Sequence, residues 1–378
     1  MKTINLILAL SLIVATSSCR KELEVIPPTE TAVTPPFEGS VTGFYLLNEG
    51  NMGSNKASLD FFDYTSGIYM MNIFPFRNPM VARELGDVGN DLQIYGKKLY
   101  AVINCSNFVE VMDSRDAGHI TQISIPNCRY ITFDKGYAYV SSYAGPVEMD
   151  PNSRKGYVAK IDTTTLQVVD ECIVGYQPEE MVILNGKLYV ANSGGYRVPD
   201  YDHTVSVIDL ATFQVINTID VGINLHRMEK DRFGNIYVSS RGDSYDIHPQ
   251  TFIISSASDE VTDYLELLPV SDMAMCGDSL LVVCSSWNNF TNSNEISYAI
   301  YDVVRKEIVS RNLITDGTDS DIRIPYGIAV NPETKEFFIA DAKDYVTPGT
   351  LYCYSHDGVR KWKVTTGYIP AHIAFVTE

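Results

Sequence analysis

The chain has 378 residues, 29 Lys and Arg against 47 Asp and Glu, and a net charge of −18. So acidic a body repels phosphate backbones and gains nothing from counterion release, which sets nucleic acid aside as a partner. Its seven cysteines form no CxxC pair, so neither a zinc site nor a disulfide framework is indicated.

Residues 1–18 read as a secretory signal, with Lys2 as the positive start, an apolar run from Ile4 to Val14, and small residues leading to Cys19. The run is too short to span a bilayer. Small residues ending at a cysteine resemble a bacterial lipobox, which implies acylation of Cys19 and a membrane-tethered protein. The next stretch, "RKELEVIPPTETAVTPPFEGS", is polar and carries four prolines without a helical or strand period. Residues 19–40 are therefore expected to be a flexible tether. The charged start "RKELE" resembles the signals that send lipoproteins of Bacteroidetes-type bacteria to the outer face of the outer membrane.

From residue 41 one strand recurs to the end of the chain. Its copies are "FYLLNEG" (44–50), "LYAVINC" (99–105), "AYVSSYA" (138–144), "LYVANSG" (188–194), "IYVSSRG" (236–242), "LLVVCSS" (280–286) and "FFIADAK" (337–343). Their centres, Tyr45, Tyr100, Tyr139, Tyr189, Tyr237, Leu281 and Phe338, are 39 to 57 residues apart. The fourth copy shows the module most fully: "EEMVIL", an Asn-Gly turn, "KLYVAN", then "TVSVIDL", "ATFQ" and "VINTIDV". Alternating β-branched and aromatic residues joined by such turns predict hairpins. Four antiparallel strands per repeat predict a propeller blade. Asp63, Asp113, Asp162, Asp209 and Asp302 open the turn between third and fourth strands, where an Asp hydrogen-bonds its own turn backbone.

The first module lacks a first strand, and "IPAHIAFVTE" at the end of the chain supplies it. The expectation is an all-β, seven-bladed propeller over residues 41–378, with blade one built from both ends and no open inner edge. "VSVIDLATFQVINTIDVG" (205–222) and its weaker copy "VAKIDTTTLQVVDECIVG" (158–175) resemble the YVTN or YncE-like family of seven-bladed propellers.

The connections between second and third strands are long, such as "SYAGPVEMDPNSRKG", "SGGYRVPDYDHT" and "SSWNNFTNSNE", and all emerge on one face. They carry Tyr143, Tyr196, Tyr201, Tyr245, Trp287 and Tyr345, with Arg197, Arg241, His248, Asn288, Asn289, Asn292 and Asn294. Aromatic platforms among Arg, Asn and Ser provide stacking surface and adaptable hydrogen bonds, so this face is the candidate ligand site. At the channel mouth, aligned first strands bring Asp91, Tyr130, Glu180, Arg227, Asp272, Gly327 and His372 to equivalent positions, beside Arg129, His226 and Tyr326. Tyr130, Arg227, Tyr326 and His372 join the candidate ligand set. Acids, histidines and arginine on one axis also suit a metal or an acid–base pair, as in some propeller lactonases and lyases. No His-x-His or dense acidic ligand spacing occurs, so neither a metal nor an enzyme is expected.

The lipobox, charged leader, Pro/Thr tether and YncE-like repeat together look like the BtuG-type surface lipoproteins of gut Bacteroidetes. That resemblance implies capture of vitamin B12 or a related corrinoid, as ligand and not as cofactor. It also implies transfer to a TonB-dependent outer-membrane transporter, with Arg197 or Arg241 available for the corrinoid phosphate. A glycan or protein ligand on the same face is the alternative.

Overall fold

The computed structural model describes residues 27–81, 84–243, 245–265, 268–288 and 293–377, with the backbone alone at 287 and 288. Cys19, the signal segment, Asn289 and Asn292 lie outside these residues. Seven antiparallel sheets form the propeller. Six are four-stranded, with inner strands Gly89–Tyr95, Cys128–Asp134, Pro178–Leu184, Leu225–Lys230, Val270–Cys276 and Pro325–Val330. The seventh, blade one, has Pro370–Thr377 as its inner strand, paired with Val41–Asn48 from the other end of the chain. Closure by the C-terminal strand is thus as expected, and it covers the inner edge of Val41–Asn48. The only helical pieces among the described residues are single turns, at Phe74–Arg77 and Thr318–Asp321.

The repeated aromatic strand fills the spaces between blades. Tyr45 packs with Leu92 and Leu99 of blade two, Tyr100 with Ile131 and Ala138 of blade three, and Tyr139 with Met181 and Leu188 of blade four. The series continues through Tyr189, Tyr237, Leu281 and Phe338, which meets Phe44 and Phe62 of blade one. The core is therefore seven wedges, each shared by two neighbours. Burying one such side chain contributes about 1.5–3 kcal/mol, so every blade depends on the next. Where blades seven and one meet, only glycine fits at 327: a Cβ there would lie 2.1 Å from the Ala371 carbonyl oxygen.

Turn chemistry follows the sequence reading. Asp162 Oδ1 accepts from the backbone N–H of Thr164 and Thr165, and Asp209 Oδ1 from Ala211 and Thr212. Asp63, Asp113 and Asp302 do the same in their own turns.

Two expectations need correction. The segment read as tether through residue 40 contains a fifth strand, Thr29–Ala32, on the outer edge of blade one against Ile68–Met71. Its continuation is held too: Glu333 Oε2 accepts from Ser40 Oγ and Val41 N, and Phe37 packs edge-on to Tyr64. The Thr-rich stretch supplies strand propensity between its prolines, and the long outer edge of blade one offers it a ladder. In blade six the connection expected as a long loop is instead a lengthened hairpin, Ser279–Asn288 paired with Ser293–Asp302 through Asn288↔Ser293.

Candidate functional site

Every blade has the same irregularity at the same end. Between inner and second strands the ladder slips by one residue, leaving residues of the inner strand without a direct partner opposite. In blade four Pro178 faces Asn192 and Met181 faces Val190, so Glu179 and Glu180 share the single residue between. The same slip displaces Asn90, Arg129–Tyr130, His226–Arg227, Ser271, Tyr326 and Ala371. A bulge bends its strand and re-aims side chains, and such features gather beside functional sites. Repeated serines satisfy part of the freed backbone. Ser141 Oγ accepts from Tyr130 N and donates to the Glu179 carbonyl, and Ser239 Oγ accepts from Arg227 N.

These bulges form the floor of a basin of about 1030 Å³ on the long-loop face, with residues from all seven blades in its wall. Ordinary ligand pockets run from ~300 to 1,000 Å³, so this one suits a large ligand. Of the expected ligand residues, Tyr143, Tyr196, Arg241, Tyr245, Tyr345, Tyr130, Arg227 and Tyr326 line it, as do His248 and Asn294. Three do not reach the described wall. Arg197 stacks on Tyr176 at 3.7 Å and donates to the Asp200 and Pro151 carbonyls, which fixes it in its own loop. Tyr201 lies in that same loop, away from the wall. His372 sits behind Glu49, with Nε2 3.6 Å from Glu49 Oε1 and Nδ1 3.9 Å from Asp91 Oδ1. The side chains of Trp287 and Asn288 lie outside the described residues, and the expected tryptophan contact with them.

The floor is a network across blades. Glu179, fully buried, accepts from Arg129 Nε and Nη2 at 3.1 and 3.0 Å, from Tyr143 Oη at 2.5 Å and from Arg241 Nη2 at 3.4 Å. Burial pushes its carboxyl up, but Arg129, Arg241 and Tyr143 outweigh that and hold it below the usual range. Arg227 Nη1 donates to Tyr130 Oη, which lies 3.0 Å from His226 Nε2. Burial and the neighbouring arginines push the His226 imidazole well below its ordinary value. Tyr326 Oη donates to Glu49 Oε2 at 2.8 Å, and its ring meets Tyr345 edge-on at 5.8 Å.

The channel-ring acids bond the backbone of neighbouring blades. Asp91 accepts the backbone N–H of Ile131, Glu180 that of Met228, and Asp272 that of Ile328. Each links its inner strand to the next blade. Among the described residues no group of three or more His, Cys, Asp or Glu is placed to hold a metal. Sequence reasoning missed Glu179 and Glu49. The signal for Glu179 was the doubled acid in "PEEM", where a bulge lets both neighbours point inward.

No curated protein matches the sequence. Among solved structures the chain resembles a quinonprotein alcohol dehydrogenase-like protein from Bacteroides thetaiotaomicron, at 14% identity over 89% of this chain and 79% of that one, with TM-score 0.58. It also resembles hydrazine synthase from Kuenenia stuttgartiensis, at 16% identity over 71% and 77%, with TM-score 0.57. A third is AztD from Citrobacter koseri, at 11% identity over 89% and 99%, with TM-score 0.52. Identities this low establish the shared propeller fold and nothing about activity. One family model covers nearly all of the propeller, residues 42–375, and the chain belongs to that family, described as Domain of unknown function (DUF5074).

Proposed function

We propose that this protein is a lipid-anchored surface protein that binds vitamin B12 or a related corrinoid in the basin and passes it to a TonB-dependent outer-membrane transporter. The observation that carries the reading is the basin itself: one broad cavity of about 1030 Å³ on the axis, walled by tyrosines from several blades. A corrinoid is a wide disc fringed with amides. Its flat edges suit Tyr143, Tyr196, Tyr326 and Tyr345, and its amides suit the serines, asparagines and backbone groups of the wall. The YncE-like repeat, the lipobox at Cys19 and the charged leader support the same context. The floor groups hydrogen-bond one another across blades, which supports a preformed binding surface.

Calorimetric titration with cyanocobalamin tests the ligand. Binding is expected, and replacing Tyr196 and Tyr345 together by Ala should weaken it at least about tenfold, a step of about 1.4 kcal/mol. No heat with cyanocobalamin, but heat with an oligosaccharide, would move the basin to glycan recognition, which stacked tyrosines also suit. Cys19→Ala tests the anchor: the variant should fold but leave the membrane fraction.

A further inference from the structure

The basin floor is electrically uneven, and we infer that it selects a ligand bearing an anionic group, phosphate or carboxylate, which seats on Arg241 over blades four and five. This rests on the ligand-basin reading and sharpens it. Arg129 is committed: two of its N–H groups hold Glu179 Oε2, and its guanidinium lies 4.8 Å over the Tyr143 ring. Glu179 Oε1 is already taken by Tyr143 at 2.5 Å. Arg241 is left with one long contact to that oxygen at 3.4 Å, and its side chain is 39% exposed to the basin. A guanidinium carries five N–H donors in a fork matched to two oxygens of one anion. Glu179 therefore neutralises one of the two arginines and leaves the other's charge facing the cavity.

Arg241 lines the basin beside Tyr196, Tyr245 and His248, so a ligand group in the cavity can reach it. Across the floor the sign reverses. Glu49 faces the basin from blade one, held by Tyr326 Oη with His372 Nε2 3.6 Å behind it, and no arginine or lysine pairs with it among the described residues. The rest of the body is strongly acidic. An anionic group is thus drawn to the Arg241 side and repelled from the Glu49 side, which fixes ligand orientation as well as class.

Cyanocobalamin carries a phosphodiester, whereas dicyanocobinamide lacks the nucleotide loop and its phosphate. Both should be titrated into the wild-type protein, Arg241→Gln and Arg241→Lys, at low and high salt, with thermal melting as the folding control. The wild type should bind cyanocobalamin at least about tenfold tighter than dicyanocobinamide, with the preference shrinking in high salt. Arg241→Gln should erase the preference by weakening cyanocobalamin alone, and Arg241→Lys should recover part of it. Equal wild-type affinities, or equal weakening of both ligands in Arg241→Gln, would overturn the anion seat and leave the corrinoid reading standing. Failure of both to bind would overturn the two together.

Discussion

The two faces of the propeller use the same residue types in opposite ways. On the tight-turn face the repeated turn acids bond within a few residues of themselves, as Asp209 does with Ala211 and Thr212. A few, such as Asp259 with Lys187 and Asp278 with Arg232, also reach a neighbouring blade. On the basin face, charged groups reach across blades: Arg129 to Glu179, Arg241 to Glu179, Tyr326 to Glu49. The first arrangement is set by local backbone geometry and is repeated wherever the turn is repeated. The second exists only because separate blades pack side by side, and Tyr326–Glu49 spans the joint where the ring closes. Local bonds hold a module's shape, while cross-blade bonds make one surface from seven modules.

If that division holds, damage to closure should exceed all else. Deleting residues 370–378 removes the inner strand of blade one and uncovers the edges of Val41–Asn48 and of its neighbours. The expected result is loss of the cooperative melt and aggregation on size exclusion; an unchanged monomer would break the comparison outright. Next comes Glu179→Ala, which leaves Arg129 buried without its counter-charge. A loss of about 3–5 kcal/mol in denaturant unfolding is expected, against little change if the network were decoration.

Glu180 offers a sharper test through pH. Burial pushes its carboxyl up to about 8 from an ordinary value of 4.5, with Arg227 pulling in the other direction. Unfolded, the group ionises near 4.5; folded, it keeps its proton until about 8. As pH rises between those values the unfolded state gains, so stability from this group falls and is lost above pH 8. Glu180→Gln keeps an acceptor for Met228 N. It should lie close to the wild type at pH 5 and exceed it at pH 8 by roughly 3–4 kcal/mol. A gap in the opposite sense would show that the carboxylate is favoured in the fold. The smallest effect is expected for Asp209→Ala, a slightly lower Tm with cyanocobalamin affinity unchanged. A variant that lost ligand instead would erase the distinction between the faces.

Much of the fold was legible because its determinants are local and repeated. Tyr100 and Tyr189 mark equivalent strands, Asp162 and Asp209 mark equivalent turns, and "PAHIAFVTE" is a first strand without a module. The site was legible only by composition. Tyr143 and Arg241 were expected on the right face, but nothing in the sequence pairs Arg241 with a glutamate 62 residues away. Arg197 shows the converse: an arginine of the right type in the right loop, turned onto Tyr176 by its own turn. The bulges explain why. A slip of one residue inverts which neighbour faces the axis, so alternation alone chose Glu180 and passed over Glu179.

The outer strand Thr29–Ala32 has a consequence for reach. It pairs Thr29 with Met71 and Ala32 with Ile68, and the Met71 end of blade one lies on the side where Asn48 and Glu49 open to the basin. The leader therefore meets the body on the rim nearest the cavity mouth, not on the tight-turn side. Residues 20–28 are all that separate Cys19 from that strand, a leash of no more than about 35 Å even when fully drawn out. With a lipid on Cys19, as proposed, that length of chain would keep the mouth of the cavity close to the bilayer. A solute leaving the basin would start its journey within about one protein diameter of the membrane.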